Sequence, residues 1–191
     1  MRCTGYIMKV AVLDELIHYD GSQINPLWGF GQGIKGDSVI VFRGSMDVSD
    51  VKDAEDDKLG LAIAGSDLIH FIVERFASPA SIREAYYMQR MLVVCIQDEL
   101  RHRGVMALRS GDDLYVGRGK LTVSIATASV SSLKIHAGIN ITSIGTPDVV
   151  ETIGLSELGI NDWMDFARAV AEHFAREVLD IDEDITKTRC L

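Results

Sequence analysis

A chain of 191 residues with 47% hydrophobic side chains, 25% charged side chains and three prolines has the composition of one folded domain, with no stretch biased enough to stay disordered. Its 28 acidic residues outnumber 19 basic ones, a formal charge of −9, which works against broad nucleic-acid binding and leaves a small-molecule or protein partner as the expectation. Cys3, Cys95 and Cys190 form no disulfide or CxxC zinc pattern, and no apolar run approaches the ~20 residues that cross a bilayer, so a reducing cytoplasm and no membrane partner are expected.

The residues from Ile7 to Leu13 are mostly β-branched or apolar and predict a strand, which Tyr19-Asp20-Gly21-Ser22 bends into a hairpin-like turn. Trp28 to Gly36 is glycine-rich and contains a GxGxxG spacing at Gly31, Gly33 and Gly36. No helical pattern follows it, as a dinucleotide-binding turn requires; Asp37-Ser38 leads instead into a strand at Val39 to Phe42, so the stretch reads as a loop. Between Asp47 and Lys58 six acids accompany two lysines, which reads as a solvated loop, with a magnesium site as the alternative. Ser66 is placed to cap a helix from Leu68 to Phe76, with His70 and Glu74 as an exposed pair one turn apart. Pro79 is followed by the capping box Ser81-Ile82-Arg83-Glu84, which predicts a long helix through Leu100 ended by Arg101, His102, Arg103 and Gly104, with Cys95 a buried structural thiol inside it.

Three short strands come next, Val105 to Leu108, Leu114 to Val116 and Leu121 to Ala128, with glycine turns between them. A fourth, Leu133 to Ile141, alternates strictly: Leu133, Ile135, Ala137, Ile139 and Ile141 belong to a core face, and Lys134, His136, Gly138 and Asn140 to an open one. After a loop at Thr146-Pro147, Asp162 caps a last helix carrying Trp163, Phe166, Val170, Phe174 and Val178 at helical spacing, and the charged residues beyond Asp180 are expected to fray. The order predicts a single α+β domain over residues 1–191, a mostly antiparallel sheet with helices on one face.

Pairing of strand 121–128 with strand 133–141 is expected to bring Thr122, Ser124, Ala126 and Ala128 onto the face of Lys134, His136, Gly138 and Asn140, with Lys120 at the strand start and Asp113 on a neighbouring strand. A face of hydroxyl, amide and cationic groups either meets water or lines a pocket, because burying such groups unpaired is costly.

The run Gly111-Asp112-Asp113-Leu114-Tyr115-Val116-Gly117-Arg118-Gly119-Lys120-Leu121 resembles the "PNDLYVNGKKL" segment of biotin protein ligases, and Ile135-His136-Ala137-Gly138-Ile139-Asn140-Ile141 resembles their "IGIGINV" strand. The helix ending Glu99-Leu100-Arg101-His102-Arg103-Gly104 precedes these motifs as in those enzymes, so the likeness spans residues 81 to 180. More closely, Tyr19-Asp20-Gly21-Ser22, Gly36-Asp37-Ser38, Val41-Phe42-Arg43-Gly44, Asp67, His70 and Glu157-Leu158-Gly159-Ile160 resemble the mostly archaeal domain of unknown function 366. That family is similar in fold to biotin and lipoate ligases and to class II aminoacyl-tRNA synthetases.

The resemblance implies a sheet that binds ATP, with Mg2+, and a carboxylic acid, and joins them as an acyl-adenylate. It implies that Lys120 holds the carboxylate and the α-phosphate, that Asp113 and Asn140 match the family's aspartate and asparagine, and that the chain pairs as a homodimer. With the polar face, the candidate catalytic residues are Lys120 and His136, and the candidate ligand-binding residues are Arg43, Asp113, Thr122, Ser124, Lys134, Gly138 and Asn140. Three departures stand beside the likeness. The ligases' basic "GRGRRG" loop has only Phe42-Arg43-Gly44-Ser45 as a counterpart, their "KLGGIL" becomes Lys120-Leu121-Thr122-Val123-Ser124-Ile125, and His136 replaces a glycine. Two other functions fit the same residues: a binding or assembly module without ligase chemistry, and an ATP-independent acyltransferase with His136 as general base near its ordinary pKa of about 6.5.

Overall fold

The structure, a computed structural model, describes residues 7–48 and 63–189. Its main sheet has five strands in the spatial order β1 (Lys9–Leu16), β2 (Ser38–Val48), β3 (Ile63–Phe76), β8 (Ser132–Asn140) and β7 (Thr122–Ala128). All pairs are antiparallel except β1 with β2. This parallel pair corrects the expected hairpin after the first strand, since parallel neighbours need a crossover and cannot be joined by a tight turn. The crossover carries a 3-10 turn at Ser22–Ile24 and a single helical turn, α1 (Trp28–Gly31). The glycine-rich run closes that crossover and enters β2 with no helix after it, as expected. Of the acidic run, Asp47 lies in β2, and the rest falls outside the described residues apart from Val48.

The predicted helix over 68–76 is a strand. Leu68 to Val73 is nearly unbroken in apolar character, which satisfies a helical face by coincidence, but β-branched and aromatic side chains suit a central strand covered on both sides. In β3, Ile69, Phe71 and Val73 face one layer, while Leu68, His70, Ile72 and Glu74 face the other, all buried. His70 and Glu74 are therefore interior residues rather than an exposed helical pair.

The three short strands expected in series divide between two sheets: β4 (Leu108–Ser110), beginning at Leu108 instead of Val105, and β5 (Asp113–Val116) form a small three-stranded sheet with the short β6 (Gly119–Lys120), whereas the third expected strand, Leu121 to Ala128, is β7 at the edge of the main sheet. The helix α2 (Ile82–His102) starts as its capping box dictates, with the Ser81 hydroxyl accepting from the Glu84 amide at 3.4 Å, and is followed by Gly104 at a φ of 79°. The last helix, α3 (Trp163–Lys187), runs on through the charged segment expected to fray. Arg75 grips Asp182 with two hydrogen bonds, of 2.7 and 3.2 Å, and holds that turn against β3.

Both long helices pack on one face of the main sheet, where Phe71, Ile135 and Ile139 meet Leu92, Phe166 and Phe174 in the main core. This is the expected α+β layering. The opposite face is also closed: the crossover lays Tyr19 and Trp28 over Phe42, Leu68 and Ile72. The face of β8 expected to be open is thus interior, and every residue of β8 is buried.

Candidate functional site

The strand register separates the residues expected to share a polar face. Val123 lies opposite Gly138, Ile125 opposite His136 and Thr127 opposite Lys134, so Thr122, Ser124, Ala126 and Ala128 point to the helix side. A shift of one residue in an antiparallel pair exchanges the two faces of a strand. Ser124 accordingly accepts a hydrogen bond from Gln89 of α2 at 2.8 Å and donates to Asp112 at 2.8 Å.

His136 is buried among aromatic rings. Tyr19 stacks on it at 3.7 Å between centroids, and Phe42 stacks on His70 at 4.9 Å. The two imidazoles touch through His70 Nδ1 and His136 Nε2 at 3.0 Å, and His70 Nε2 lies 3.2 Å from the Gly44 carbonyl. One tautomer satisfies both contacts: His70 donates to Gly44 from Nε2 and accepts from His136 at Nδ1. Burial pushes the His70 pKa down to about 4, and burial with the neighbouring His70 holds His136 well below its ordinary 6.5. The expected general base is a neutral interior packing group.

Lys134 is equally interior. Its ammonium lies 3.3 Å from Glu74, with side-chain exposures of 1% and 3%, and burial lowers its pKa against the opposing pull of Glu74. Glu74 also accepts from the Ser132 hydroxyl at 2.9 Å and the Leu27 amide at 3.0 Å, which ties the crossover to the sheet. Leu27 needs that tie, having a φ of 66°, uncommon for a residue with a side chain. Arg43 belongs to the helix side of β2, where it makes a two-pronged ion pair with Asp67 at 2.6 and 2.8 Å and stacks on Trp163 at 4.6 Å. Gly138 lies beneath Val123 and Leu68. Ser124, Lys134, His136, Arg43 and Gly138 therefore do not gather at one opening.

Lys120, Thr122 and Asn140 do. They line a groove of about 150 Å3 at the sheet end where β7 begins and β8 stops, together with Met46, Ile63, Val123 and the 146–152 loop. That loop is stitched to Lys120, whose amide donates to the Glu151 carbonyl at 2.8 Å and whose carbonyl accepts from the Ile153 amide at 3.1 Å. Asn140 fixes the corner by donating to the Lys120 and Ile153 carbonyls, both at 3.3 Å. The Thr122 hydroxyl accepts from the Leu114 amide at 2.9 Å, so it braces the small sheet. Lys120 lies 2.9 Å from Asp113, and about a quarter of each side chain remains exposed, 27% and 24%. Among the described lining residues Lys120 alone carries a charge, and the rest of the wall is mainly apolar. This arrangement suits a small molecule with an apolar body and one anionic end.

The apolar wall was the part missed by sequence reasoning. Val149 and Val150 come one residue after Thr146-Pro147, beyond Asp148, and this apolar pair in the loop was the available signal. Among the described residues no cluster of three or more His, Cys, Asp or Glu is placed to hold a metal ion, and no helix is long and apolar enough to cross a membrane.

This five-stranded sheet, with both long helices on one side, has the fold of the biotin and lipoate protein ligases. It is similar to the biotin protein ligase of Aquifex aeolicus in complex with biotin and ATP, with a TM-score of 0.60 and 16% identity over 90% of this chain and 73% of that one. The chain belongs to the family described as a domain of unknown function, DUF366, which it matches over residues 8–189. An uncharacterized protein of Methanocaldococcus jannaschii is 38% identical over 192 residues, covering 97% of this chain and 86% of the other. A protein of unknown function from Pyrococcus horikoshi has a solved structure with a TM-score of 0.91 and 38% identity, over 96% of this chain and 99% of that one.

Proposed function

We propose that the groove binds a small, largely apolar carboxylic acid with its carboxylate at Lys120, and that the protein activates this acid with ATP as an acyl-adenylate. The observation that carries the reading is that Lys120 is the single cation among the described lining residues of a mainly apolar groove, with Asn140 bracing its backbone. Carboxylate and ammonium pair favourably where apolar walls exclude water, and a lysine held by its own strand keeps that charge in place without reorganisation. The fold supports the nucleotide half, since the Aquifex aeolicus ligase of this fold is described in complex with biotin and ATP.

In the reaction, a carboxylate oxygen bonds to the α-phosphorus of ATP as the bond from that phosphorus to the pyrophosphate oxygen breaks, and pyrophosphate leaves with its electron pair. Lys120 faces the charge that develops between the two reactants. Magnesium would enter on the nucleotide phosphates, in keeping with the lack of a carboxylate cluster among the described residues. Asp113 orients the ammonium across its 2.9 Å contact. Assembly as a homodimer belongs to this reading through the resemblance alone, and sedimentation gives its mass.

Calorimetric titration of Mg·ATP, alone and with a mixed pool of carboxylic acids, tests the reading when paired with release of pyrophosphate. Saturable heat and acid-dependent pyrophosphate, both lost in Lys120→Ala, are expected. No heat under any condition overturns it.

One observation favours a second reading, a binding module without adenylation. Arg43, the residue matched to the ligases' basic loop, is occupied by Asp67 and Trp163 on the other side of the sheet. Acid binding with no ATP heat and no pyrophosphate selects this alternative.

A further inference from the structure

Val123 is one of the apolar walls of the groove, and its position is set by a missing side chain on the neighbouring strand. Val123 pairs with Gly138, and a Cβ built on Gly138 would lie 3.0 Å from Val123 Cγ1 and 3.3 Å from Leu68 Cδ2. Val123 and Leu68 therefore fill the hollow left by the glycine, and His136 Cε1, at 3.6 Å, closes its far side. A β-branched side chain is restricted at χ1, and Val123 is packed against the cluster that contains Leu68, so this wall does not swing aside. In front of it the groove measures about 150 Å3. An apolar cavity of about 150 Å3 accommodates a benzene-sized molecule.

We infer that Val123 sets a length limit on the bound acid, so that the groove accepts an apolar body of about six carbons behind the carboxylate and buries no more of a longer chain. The inference rests on the reading of the groove as an acid site and names its substrate class: short-chain or compact branched acids, not bicyclic or medium-chain ones. Ile63, Val149 and Val150 give the body apolar contacts, and Lys120, the one charged residue among the described lining residues, fixes where the carboxylate lies.

The test is a chain-length series, butyrate through octanoate, together with benzoate and biotin, titrated into the full chain with Mg·ATP present. In the wild type, each added methylene that stays in the groove should tighten binding about fourfold, up to heptanoate, whose body has six carbons, with no further gain to octanoate and no measurable biotin binding. Val123→Ala opens the hollow above Gly138 and should move the plateau to a longer acid. Val123→Leu fills the groove and should move it to a shorter one, and a thermal unfolding curve accompanies each variant to verify its fold. Continued tightening through octanoate in the wild type overturns the inference, as does a plateau unmoved in both variants. If no acid binds, or if binding survives unchanged in Lys120→Ala, the acid-site reading itself falls; if acids bind through Lys120 but Val123 does not set their length, only the inference falls.

Discussion

Lys120 carries the functional burden of the groove, and its surroundings separate function from stability. Its ion pair with Asp113 is partly solvated, and pairs of that kind contribute about 1 kcal/mol or less. Lys120→Ala is therefore expected to weaken acid binding at least tenfold while urea unfolding changes by no more than that amount. A large loss of stability would instead make Lys120 a structural residue.

The two buried imidazoles behave in the opposite way, contributing to folding and not to the groove. Both are held neutral in the fold below their ordinary 6.5, by burial first, with the Gly44 carbonyl and Asp67 drawing His70 back up and His18 pushing it further down. The unfolded chain binds protons on both as pH falls through 6.5 while the folded chain does not, so proton uptake favours unfolding. Stability is thus full above about pH 7 and falls by about 1.4 kcal/mol per pH unit for each imidazole below 6.5. The fall from His70 ends near pH 4, where the folded protein also takes up that proton. Urea titrations at pH 7, 6 and 5 should show a steadily lower midpoint, and His136→Phe should reduce the slope. A midpoint insensitive to pH over that range would mean that the two imidazoles take up protons as readily in the fold as in the unfolded chain.

Among the elements, β3 and β8 show how a sequence pattern can be right in period and wrong in consequence. The alternation of β8 is real, with apolar residues on the helix side and Lys134, His136 and Gly138 opposite. Its polar side faces the crossover rather than water, because Glu74, Tyr19 and His70 supply its partners from segments distant in sequence. The Glu74–Lys134 pair makes this testable. Removing one partner of a buried pair leaves the other charge unsatisfied and costs about 3–5 kcal/mol, whereas replacing both with apolar groups is far milder. Glu74→Ala should therefore destabilise by about that amount, more because the Leu27 amide and the Ser132 hydroxyl lose their acceptor, and adding Lys134→Met should recover much of the loss. Additive effects in the double-mutant cycle would show that the pair is not coupled.

At the level of the assembled chain, the sheet separates two tasks. The helix side holds the larger core, including Phe166 and Phe174, while the groove opens at the strand ends near the crossover side. Truncating a fully buried phenylalanine costs about 3–5 kcal/mol. Phe174→Ala should lower the unfolding midpoint accordingly and leave acid affinity at 20 °C within about twofold, since no groove residue lies on α3. A parallel loss of affinity would show that the helix layer shapes the groove.

Much of this protein was written locally and could be read locally. The capping box at Ser81, the glycine after α2, the spacing of Trp163 to Val178 and the Gly-rich turns of the small sheet each act within a few residues, and their outcomes follow from capping, dihedral freedom and periodicity. The motifs around Asp113, Lys120 and Asn140 were also legible and led to the ligase fold. Long-range pairing decided the rest. The strand nature of residues 68–76 depends on having a layer on each side, the separation of Ser124 from His136 depends on a one-residue register, and the burial of Lys134 depends on a carboxylate sixty residues earlier. Local sequence determines which conformations a segment prefers and which chemistry it carries; only tertiary contact determines which face is covered, because covering a face is a property of two segments and neither contains it alone.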